Sequence, residues 1–271
     1  MIPASVTRTV TTVGLIGRQD RSDELASEAP LEIRVNARGY AVTMRTPGND
    51  VELSAGFLVS EGLVAGPDDL LSVDVLAEVE GDVIDAKVAG PGALVAMDRQ
   101  RNIYTTSSCG VCGLASIEAV RTTSRFELHD NTLTVAADLV AQLPGRLQSA
   151  QRLFESTGGV HAAGLFDVGD DSVVVREDVG RHNAVDKVVG HAALEGRLPL
   201  SNCVLQVSGR ASFELVQKAA MAGVPILAAV SAPSALAVEL AEALGITLIG
   251  FSRESSFNIY SHGHRVTGAL S

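Results

Sequence analysis

The chain has 271 residues, of which 46% are hydrophobic and 20% are charged. This composition is typical of a folded chain with one large domain or two modest ones, and it argues against a disordered protein. The formal charge of -11 argues against a general nucleic-acid-binding protein, which would need a basic surface. All but three of the 21 basic residues are arginines, whose guanidinium groups suit phosphate ligands.

Membrane insertion and export are not indicated by the sequence. No apolar run reaches the ~18 to 20 residues that a membrane-spanning helix needs. The longest apolar-rich stretch, residues 219–244, is interrupted by glycine, proline and serine. The N-terminal residues lack the continuous apolar segment of a signal peptide. We therefore expect a cytoplasmic protein that does not span a membrane.

Three regions differ in their patterning. Residues 1–28 are polar and weakly patterned, which predicts a loose N-terminal tail or an added edge strand. Residues 29–106 predict a small α+β region. Residues 107–271 predict a larger α/β domain that begins with a cysteine-containing loop.

The first folded region begins with alternating apolar residues. Residues 31–35 and 40–45 flank the turn sequence NARG and predict a β-hairpin. Residues 51–64 have helical spacing, and residues 72–90 predict a second hairpin around Gly81.

In the second half, buried strands alternate with helices. Residues 203–209, 224–230 and 246–251 are continuous apolar strands, and residues 211–223 and 232–245 are helices closed by glycine. Continuous apolar strands joined by helices predict a parallel sheet that is covered on both faces.

Polar residues follow the predicted strands. Ligands of open α/β sheets bind outside the carboxyl ends of the strands, so these residues mark the expected crevice. Arginines beside helix N-termini suit an anionic ligand, and Arg176, Arg181, Arg210 and Arg253 fall in this region. His161 and His182 lie in the same part of the sequence as Arg176 and Arg181. Each is expected either to bind the ligand or to be a partly buried histidine whose hydrogen bonds are made within the protein.

The three cysteines are of two kinds. Cys203 lies in the apolar strand CVLQV, so we expect a buried structural residue. Cys109 and Cys112 form a CxxC motif inside SSCGVCG, where glycine and serine leave the thiols accessible. An odd count this low argues against a secreted disulfide framework.

Three interpretations of the CxxC motif compete. A zinc site would need four ligands, and this motif supplies two with no second pair nearby. A thioredoxin-like dithiol fits the spacing, but the surrounding order of elements does not. A sulfur carrier would use an accessible thiolate to accept sulfur from a persulfide and deliver it to an acceptor.

Several long strings resemble the FdhD family of formate dehydrogenase accessory sulfurtransferases. The resemblance extends over about residues 28–265. It is carried by the following strings: PLEIRVNARGYAVTMRTPGNDVELSAGFLVSEG, SSCGVCG, TGGVHAAGLF, REDVGRHNAVDKVVG, SGRASFELVQKAAMAGVPILAAVSAPSALAVELAEALG and GFSRESSFNIY.

The resemblance implies a sulfurtransferase. Family members take persulfide sulfur from a cysteine desulfurase and pass it to the molybdenum cofactor of formate dehydrogenase. They bind the cofactor as bis-molybdopterin guanine dinucleotide, which guanine nucleotides can mimic. The resemblance also implies a homodimer and an α/β fold, with a cytidine-deaminase-like three-layer C-terminal domain that lacks zinc and a smaller N-terminal α+β portion.

Functional residues carry over by position. Cys109 matches the persulfide-bearing cysteine and Cys112 its motif partner. The segment that the family assigns to cofactor binding matches Phe251, Ser252, Arg253, Glu254, Ser255 and Ser256, and we add Arg210 as an expected phosphate anchor. Two positions depart from the family pattern, because Leu114 and Ser256 stand where members often have basic residues.

Two other functions stay open from the sequence. A cofactor-binding chaperone without covalent sulfur chemistry would use the same strand-end crevice. A cytidine-deaminase-like hydrolase would require bound zinc, for which the motif lacks the usual ligand set.

Overall fold

The computed structural model describes residues 2–15, 17–76, 82–102 and 124–270. Its first six strands are β1 (Ser5–Gly14), β2 (Gly17–Ala26), β3 (Ala29–Val35), β4 (Arg38–Arg45), β5 (Leu70–Val75) and β6 (Val83–Val88). The remaining strands are β7 (Val135–Ala136), β8 (His161–Asp167), β9 (Val173–Asp178), β10 (Cys203–Val207), β11 (Ile226–Ala229), β12 (Thr247–Arg253), β13 (Ser256–Ser261) and β14 (Val266–Thr267).

The helices follow the same chain order. They are α1 (Asp50–Ser60), α2 (Gly90–Asn102), α3 (Ala137–Ser149), α4 (Arg152–Thr157), α5 (Arg181–Leu194), α6 (Phe213–Met221) and α7 (Ala235–Leu244). Short 3-10 helices occur at Pro67–Asp69 and Gly263–Arg265. Within the described ranges, no helix combines the length and apolar character needed to cross a membrane.

The N-terminal segment is a β-hairpin, so the prediction of a loose tail is wrong, and the alternative of a strand is correct except that the segment forms two strands paired with each other. Strands β1 and β2 pair antiparallel along their whole length, from Ser5 opposite Ala26 to Gly14 opposite Gly17. The β-branched residues of β1 favour a strand, but polar residues on both faces conceal the usual apolar alternation. One further backbone bond extends the ladder at the base of the hairpin, where the Ser27 amide donates to the Ala4 carbonyl (2.8 Å).

A four-stranded sheet in the order β4-β3-β6-β5 follows the hairpin. Both predicted hairpins are confirmed, since β3 pairs antiparallel with β4 and β5 with β6. Strand β3 also pairs parallel with β6. Leu31, Ile33 and Ile84 on the inner face pack against Leu53 of α1, so this helix covers one side of the sheet.

A six-stranded sheet in the order β13-β12-β11-β10-β8-β9 forms the main layer. Strands β10, β11 and β12 are parallel, as the sequence predicts. The sheet as a whole is mixed, because β8 pairs antiparallel with β10 and β13 pairs antiparallel with β12. The three predicted parallel strands therefore form the centre of a larger mixed sheet.

Helices cover both faces of the six-stranded sheet. On one face, Leu205 and Leu227 belong to a core that includes residues of α5, α6 and α7. On the other face, Val204 and Ile226 pack with Val140, Leu143 and Leu147 of α3. This arrangement gives the predicted three-layer α/β architecture.

The two predicted regions share one core at the crossing of α1 and α5. A Cβ on Gly56 would lie 1.8 Å from the Asp186 carbonyl oxygen, and a Cβ on Gly190 would lie 1.8 Å from the Glu52 carbonyl oxygen. Only glycine permits this backbone approach. The predicted boundary between residues 106 and 107 lies outside the described residues and stays a prediction.

Candidate functional site at the carboxyl ends of the strands

The predicted strand ends meet at one edge of the large sheet. The Ser231 amide donates to the Gly209 carbonyl (3.3 Å), and the Phe251 amide donates to the Ser231 carbonyl (3.2 Å). Next to them, the Ser208 amide donates to the Ala162 carbonyl (3.0 Å), and the Ser208 Oγ accepts from the Ala162 amide (2.9 Å). Because β8 is antiparallel, its first residue, His161, also lies at this edge, opposite Asp178 in β9.

The segment from Phe251 to Ser256 forms the end of β12 and the turn into β13. Phe251 has a φ of 51°, in the left-handed region, which is uncommon for a residue with a side chain. Ser252 is buried and its Oγ donates to the Gln206 Oε1 (3.4 Å). Arg253 pairs with Ser256 across the hairpin. The turn is therefore fixed at both strands.

The other side chains of this segment face solvent. Arg253, Glu254, Ser255 and Ser256 are exposed, and Arg210 is exposed after β10. Neither Arg210 nor Arg253 forms an ion pair with a described residue. Both guanidinium groups are therefore available to an anionic ligand, and their role in binding stays a prediction.

A cavity of about 590 Å³ opens at the same edge, between α3, α4 and the first residue of β8. Its walls include Gln148, Gln151, Phe154, His161 and Ser208. A half-exposed phenyl ring, amide side chains and an imidazole together suit a planar polar group better than a purely apolar ligand. Sequence reasoning missed this wall, because neither α3 nor α4 had been predicted as an element.

His161 lines the cavity, and the charge of Arg181 acts on both His161 and His182. Burial, and then the charge of Arg181, lower the pKa of His161. Burial lowers the pKa of His182 to about 3, and Arg181, Lys218 and His161 add to the effect. His182 Nε2 lies 3.4 Å from Ser212 Oγ and 3.4 Å from Glu214 Oε2. His182 is therefore neutral at physiological pH, and the lowered pKa of His161 favours its neutral form.

Arg176 does not join the crevice, so the prediction that it serves an anionic ligand is wrong. Its guanidinium group binds both carboxylate oxygens of Glu52 on α1 (2.6 and 2.7 Å). Although burial opposes the effect, Arg176 lowers the pKa of Glu52. The pairing crosses 124 positions of sequence, and no local pattern indicates it.

Asp178 and Asp186 have structural roles. Asp178 is buried and accepts from the Thr46 amide (3.1 Å) and the Gly180 amide (2.8 Å), and it pairs with Lys187 (2.7 Å). Asp186 is buried against Lys218 and also accepts from Ser60 Oγ (2.6 Å). These contacts join the start of α5 to the N-terminal region.

Glu177 is a positioning residue that the sequence did not reveal. Its carboxylate accepts the amides of Leu153 (2.9 Å) and Phe154 (2.8 Å) at the start of α4, which forms a wall of the cavity. We expect Glu177→Gln to lower the free energy of unfolding by about 1 kcal/mol, because the capping charge is lost.

Chemical denaturation would measure this effect. Glu155→Gln is the matched control, because Glu155 is an exposed residue of the same helix. Equal losses in both variants would show that Glu177 does not hold the helix.

Of the three cysteines, only Cys203 lies among the described residues. Cys109 and Cys112 lie outside them, as does Leu114, one of the two positions that depart from the family pattern. Burial, and then Asp167, raise the pKa of the Cys203 thiol to about 12. The prediction of a buried structural residue is confirmed. Within the described part of the chain, no group of three or more histidine, cysteine or acidic side chains could hold a metal ion.

The fold and the site define a three-layer α/β protein with a crevice at the carboxyl ends of its strands. Residues 26–267 match the model of the FdhD/NarQ family. The chain therefore belongs to this family, and the resemblance seen in the sequence is confirmed.

Similar proteins agree with this assignment. A protein of Streptomyces avermitilis called sulfur carrier protein FdhD is 54% identical over 253 residues, which are 91% of this chain and 90% of that protein. A protein of the same name from Mycobacterium tuberculosis is 53% identical, covering 91% of this chain and 93% of its own. A crystal structure of a candidate formate dehydrogenase accessory protein from Desulfotalea psychrophila has a TM-score of 0.78 and 25% identity, covering 98% of this chain and 100% of that one.

Proposed function

We propose that this protein is a sulfur carrier that serves formate dehydrogenase maturation. The observation that carries the proposal is the name shared by relatives that are more than 50% identical over about nine tenths of the chain. A cysteine desulfurase is the proposed sulfur donor. The proposed acceptor is the molybdenum cofactor in its bis-molybdopterin guanine dinucleotide form, held by the protein as a client on behalf of formate dehydrogenase. Cytoplasmic location and a homodimer are part of this proposal.

The chemistry of the cysteines supports a role for the CxxC motif. Sulfur transfer needs a thiolate, and the raised pKa of Cys203 keeps that thiol protonated. Of the three cysteines, this leaves Cys109 and Cys112. The Cys109 thiolate attacks the outer sulfur of the donor persulfide. The donor S–S bond breaks, the donor thiol leaves, and Cys109 carries the persulfide.

Release of the sulfur has two possible routes through Cys112. In one, the Cys112 thiolate attacks the Cys109 sulfur, the outer sulfur leaves as hydrosulfide, and a Cys109–Cys112 disulfide forms. A cellular dithiol must then reduce that disulfide. In the other, Cys112 attacks the outer sulfur, the Cys109 thiolate leaves, and Cys112 carries the persulfide. A cellular thiol must then attack the Cys112 sulfur, so that the outer sulfur leaves as hydrosulfide and a mixed disulfide forms.

The strand-end crevice supports a cofactor that carries phosphate groups. Arg210 and Arg253 are exposed there without acidic partners among the described residues, in a chain whose formal charge is -11. Guanidinium groups bind phosphate oxygens in a fork geometry. The segment from Phe251 to Ser256 would hold the cofactor at this edge, although Ser256 supplies no charge.

The proposal is tested by mass spectrometry after incubation with a cysteine desulfurase and cysteine. We expect one added sulfur atom on the Cys109 peptide, removed by reductant. Cys109→Ser should lose that adduct and reduce activation of formate dehydrogenase to background. Cys203→Ser is the matched control and should keep both.

A second function is distinguished by the same variant. A cofactor-binding chaperone without sulfur transfer would still activate formate dehydrogenase after Cys109→Ser. That result would sink the sulfur carrier proposal and favour the chaperone.

A further inference from the structure

Strand β5 lies at an edge of the four-stranded sheet, and its outer side has no partner strand among the described residues. On its inner side, the Leu76 amide donates to the Val83 carbonyl of β6 (2.9 Å). Because backbone groups alternate in direction along an antiparallel strand, the amide and carbonyl groups of Val73 and Val75 point away from β6. These groups form an open template with which another strand can pair.

The side chains of β5 do little to protect this edge. Natural edge strands commonly carry lysine, proline or inward-pointing charges that prevent pairing. Strand β5 (LLSVDV) has neither lysine nor proline. Its one charged side chain, Asp74, is exposed and accepts from Ser72 Oγ (2.7 Å). Leu71 and Val75, near the two ends of the strand, are 68% and 65% exposed. Exposed apolar side chains beside unpaired backbone groups indicate a surface that another chain covers.

The opposite edge of the same sheet is closed. On β4, the Met44 carbonyl accepts from Asn183 Nδ2 of α5 (2.8 Å), and Thr43 Oγ1 donates to Asn183 Oδ1 (3.4 Å). The start of α5 therefore lies against this edge, where it blocks a further strand. A head-to-tail contact between β4 of one copy and β5 of the next would need both edges to be open. Within this sheet, the remaining contact is that of β5 with β5, which closes on itself as a symmetric pair of chains.

The sequence of β5 fits such a self-pairing in one register. A two-fold axis through Val73 pairs the outward backbone groups of this residue with those of the second copy. It also sets Leu71 opposite Val75 of the second copy, and Ser72 opposite Asp74. Leu71 has no partner in β6, because a bulge lies between Leu70 and Ser72. An axis through Asp74 would instead place two carboxylates opposite each other, which is unfavourable.

We propose that β5 pairs antiparallel with β5 of a second copy of this chain, with the two-fold axis at Val73. The small sheets of the two copies then form one continuous sheet across the interface. Leu71 and Val75 contact each other at both ends of the pairing, and Ser72 donates to Asp74 of the second copy. This inference names the interface of the homodimer in the proposed function, and it rests on that part of the proposal.

The test is the oligomeric state of the full-length protein, measured by light scattering during size-exclusion chromatography over a range of concentrations. We expect the natural protein to have twice the mass of one chain. Leu71→Lys combined with Val75→Lys sets like charges opposite each other at both ends of the pairing. This variant should raise the dimer Kd by about tenfold or more. Leu71→Lys combined with Val75→Glu sets opposite charges at the same positions and should restore the dimer.

Val42→Lys is the matched control, because Val42 is 69% exposed on β4, at the closed edge of the same sheet. This variant should keep the Kd of the natural protein. Amide hydrogen exchange gives an independent readout. The Val73 and Val75 amides donate across the interface, so they should exchange more slowly in the natural protein than in the variant with both lysines. A thermal melt of each variant checks folding, which exposed positions such as Leu71 and Val75 should leave intact.

Two results would overturn this interface. One is a natural protein that is monomeric at every concentration, which would also remove the homodimer from the proposed function. The other is a dimer whose Kd is unchanged by Leu71→Lys with Val75→Lys, which would keep the homodimer but place its interface elsewhere. Persulfide loading of Cys109 is measured separately, so both results are distinguishable from failure of the sulfur carrier proposal.

Discussion

Lys218→Met is expected to lower the free energy of unfolding by about 3–5 kcal/mol, because it leaves a buried carboxylate without its cation. Lys218 Nζ lies 2.9 and 2.8 Å from the two oxygens of Asp186, and both residues are almost fully buried. Although burial acts in the opposite direction, Asp186 holds the pKa of Lys218 above its usual value. Equilibrium unfolding in urea measures the loss.

The loss in free energy of unfolding caused by Lys218→Met should depend on pH. Burial already raises the pKa of Asp186 in the folded protein, with Lys218 opposing the effect. Without Lys218, the carboxyl group of Asp186 binds its proton more tightly in the folded state than in the unfolded chain. The stability of Lys218→Met relative to the natural protein is therefore highest below the ordinary carboxyl pKa. It falls as the pH rises through the raised pKa of Asp186.

Two variants make this result decisive. Lys87→Met is the matched control, because Lys87 is 42% exposed and its pair with Asp85 is expected to contribute at most about 1 kcal/mol. Lys218→Met combined with Asp186→Asn should recover part of the loss, since the unpaired charge is removed. Equal losses for Lys87→Met and Lys218→Met would contradict the expectation.

Gly190→Ala is expected to lower the free energy of unfolding by about 3 kcal/mol or more, at the upper end of the usual cost of overpacking. The added methyl group would lie 1.8 Å from the Glu52 carbonyl oxygen and 2.6 Å from the Gly56 amide nitrogen. These are backbone atoms, so relief requires α1 and α5 to separate. Alanine favours a helix by about 1 kcal/mol over glycine, which is too little to compensate.

A thermal melt measures this effect, with an expected fall in Tm of about 6–10 °C. Gly66→Ala is the matched control, because Gly66 has an extended backbone (φ -158°) and open space around its Cβ position. An unchanged Tm for Gly190→Ala would show that the two helices can move apart at no cost.

Local periodicity predicted the elements whose burial is uniform. Every residue of β10 and β11 is buried, so their apolar runs indicated strands directly. Strand β8 was not predicted, because the small residues AAG interrupt HAAGLFD and leave no run of large apolar side chains. The hairpin of β1 and β2 was missed for a different reason: both of its faces are mostly exposed, so no apolar alternation marks the strands.

The candidate site was predictable only in its location. The rule for strand ends placed Gly209, Ser231 and Phe251 together, and backbone hydrogen bonds join them. The sequence could not predict which arginine lacks an acidic partner, because that partner is distant in sequence. Arg176 is neutralised by Glu52, whereas Arg181 keeps an unpartnered nitrogen.

The N-terminal hairpin gives the molecule two levels of stability. Most of its residues are exposed, and Leu15 at its tip is fully exposed. An isolated two-stranded ribbon is only marginally stable in water. Its amide hydrogens will therefore exchange with solvent through local opening. The free energy of this opening is a small fraction of the free energy of the opening that exposes the amides of β10 and β11. The ribbon can fray and re-form many times while the rest of the chain stays folded.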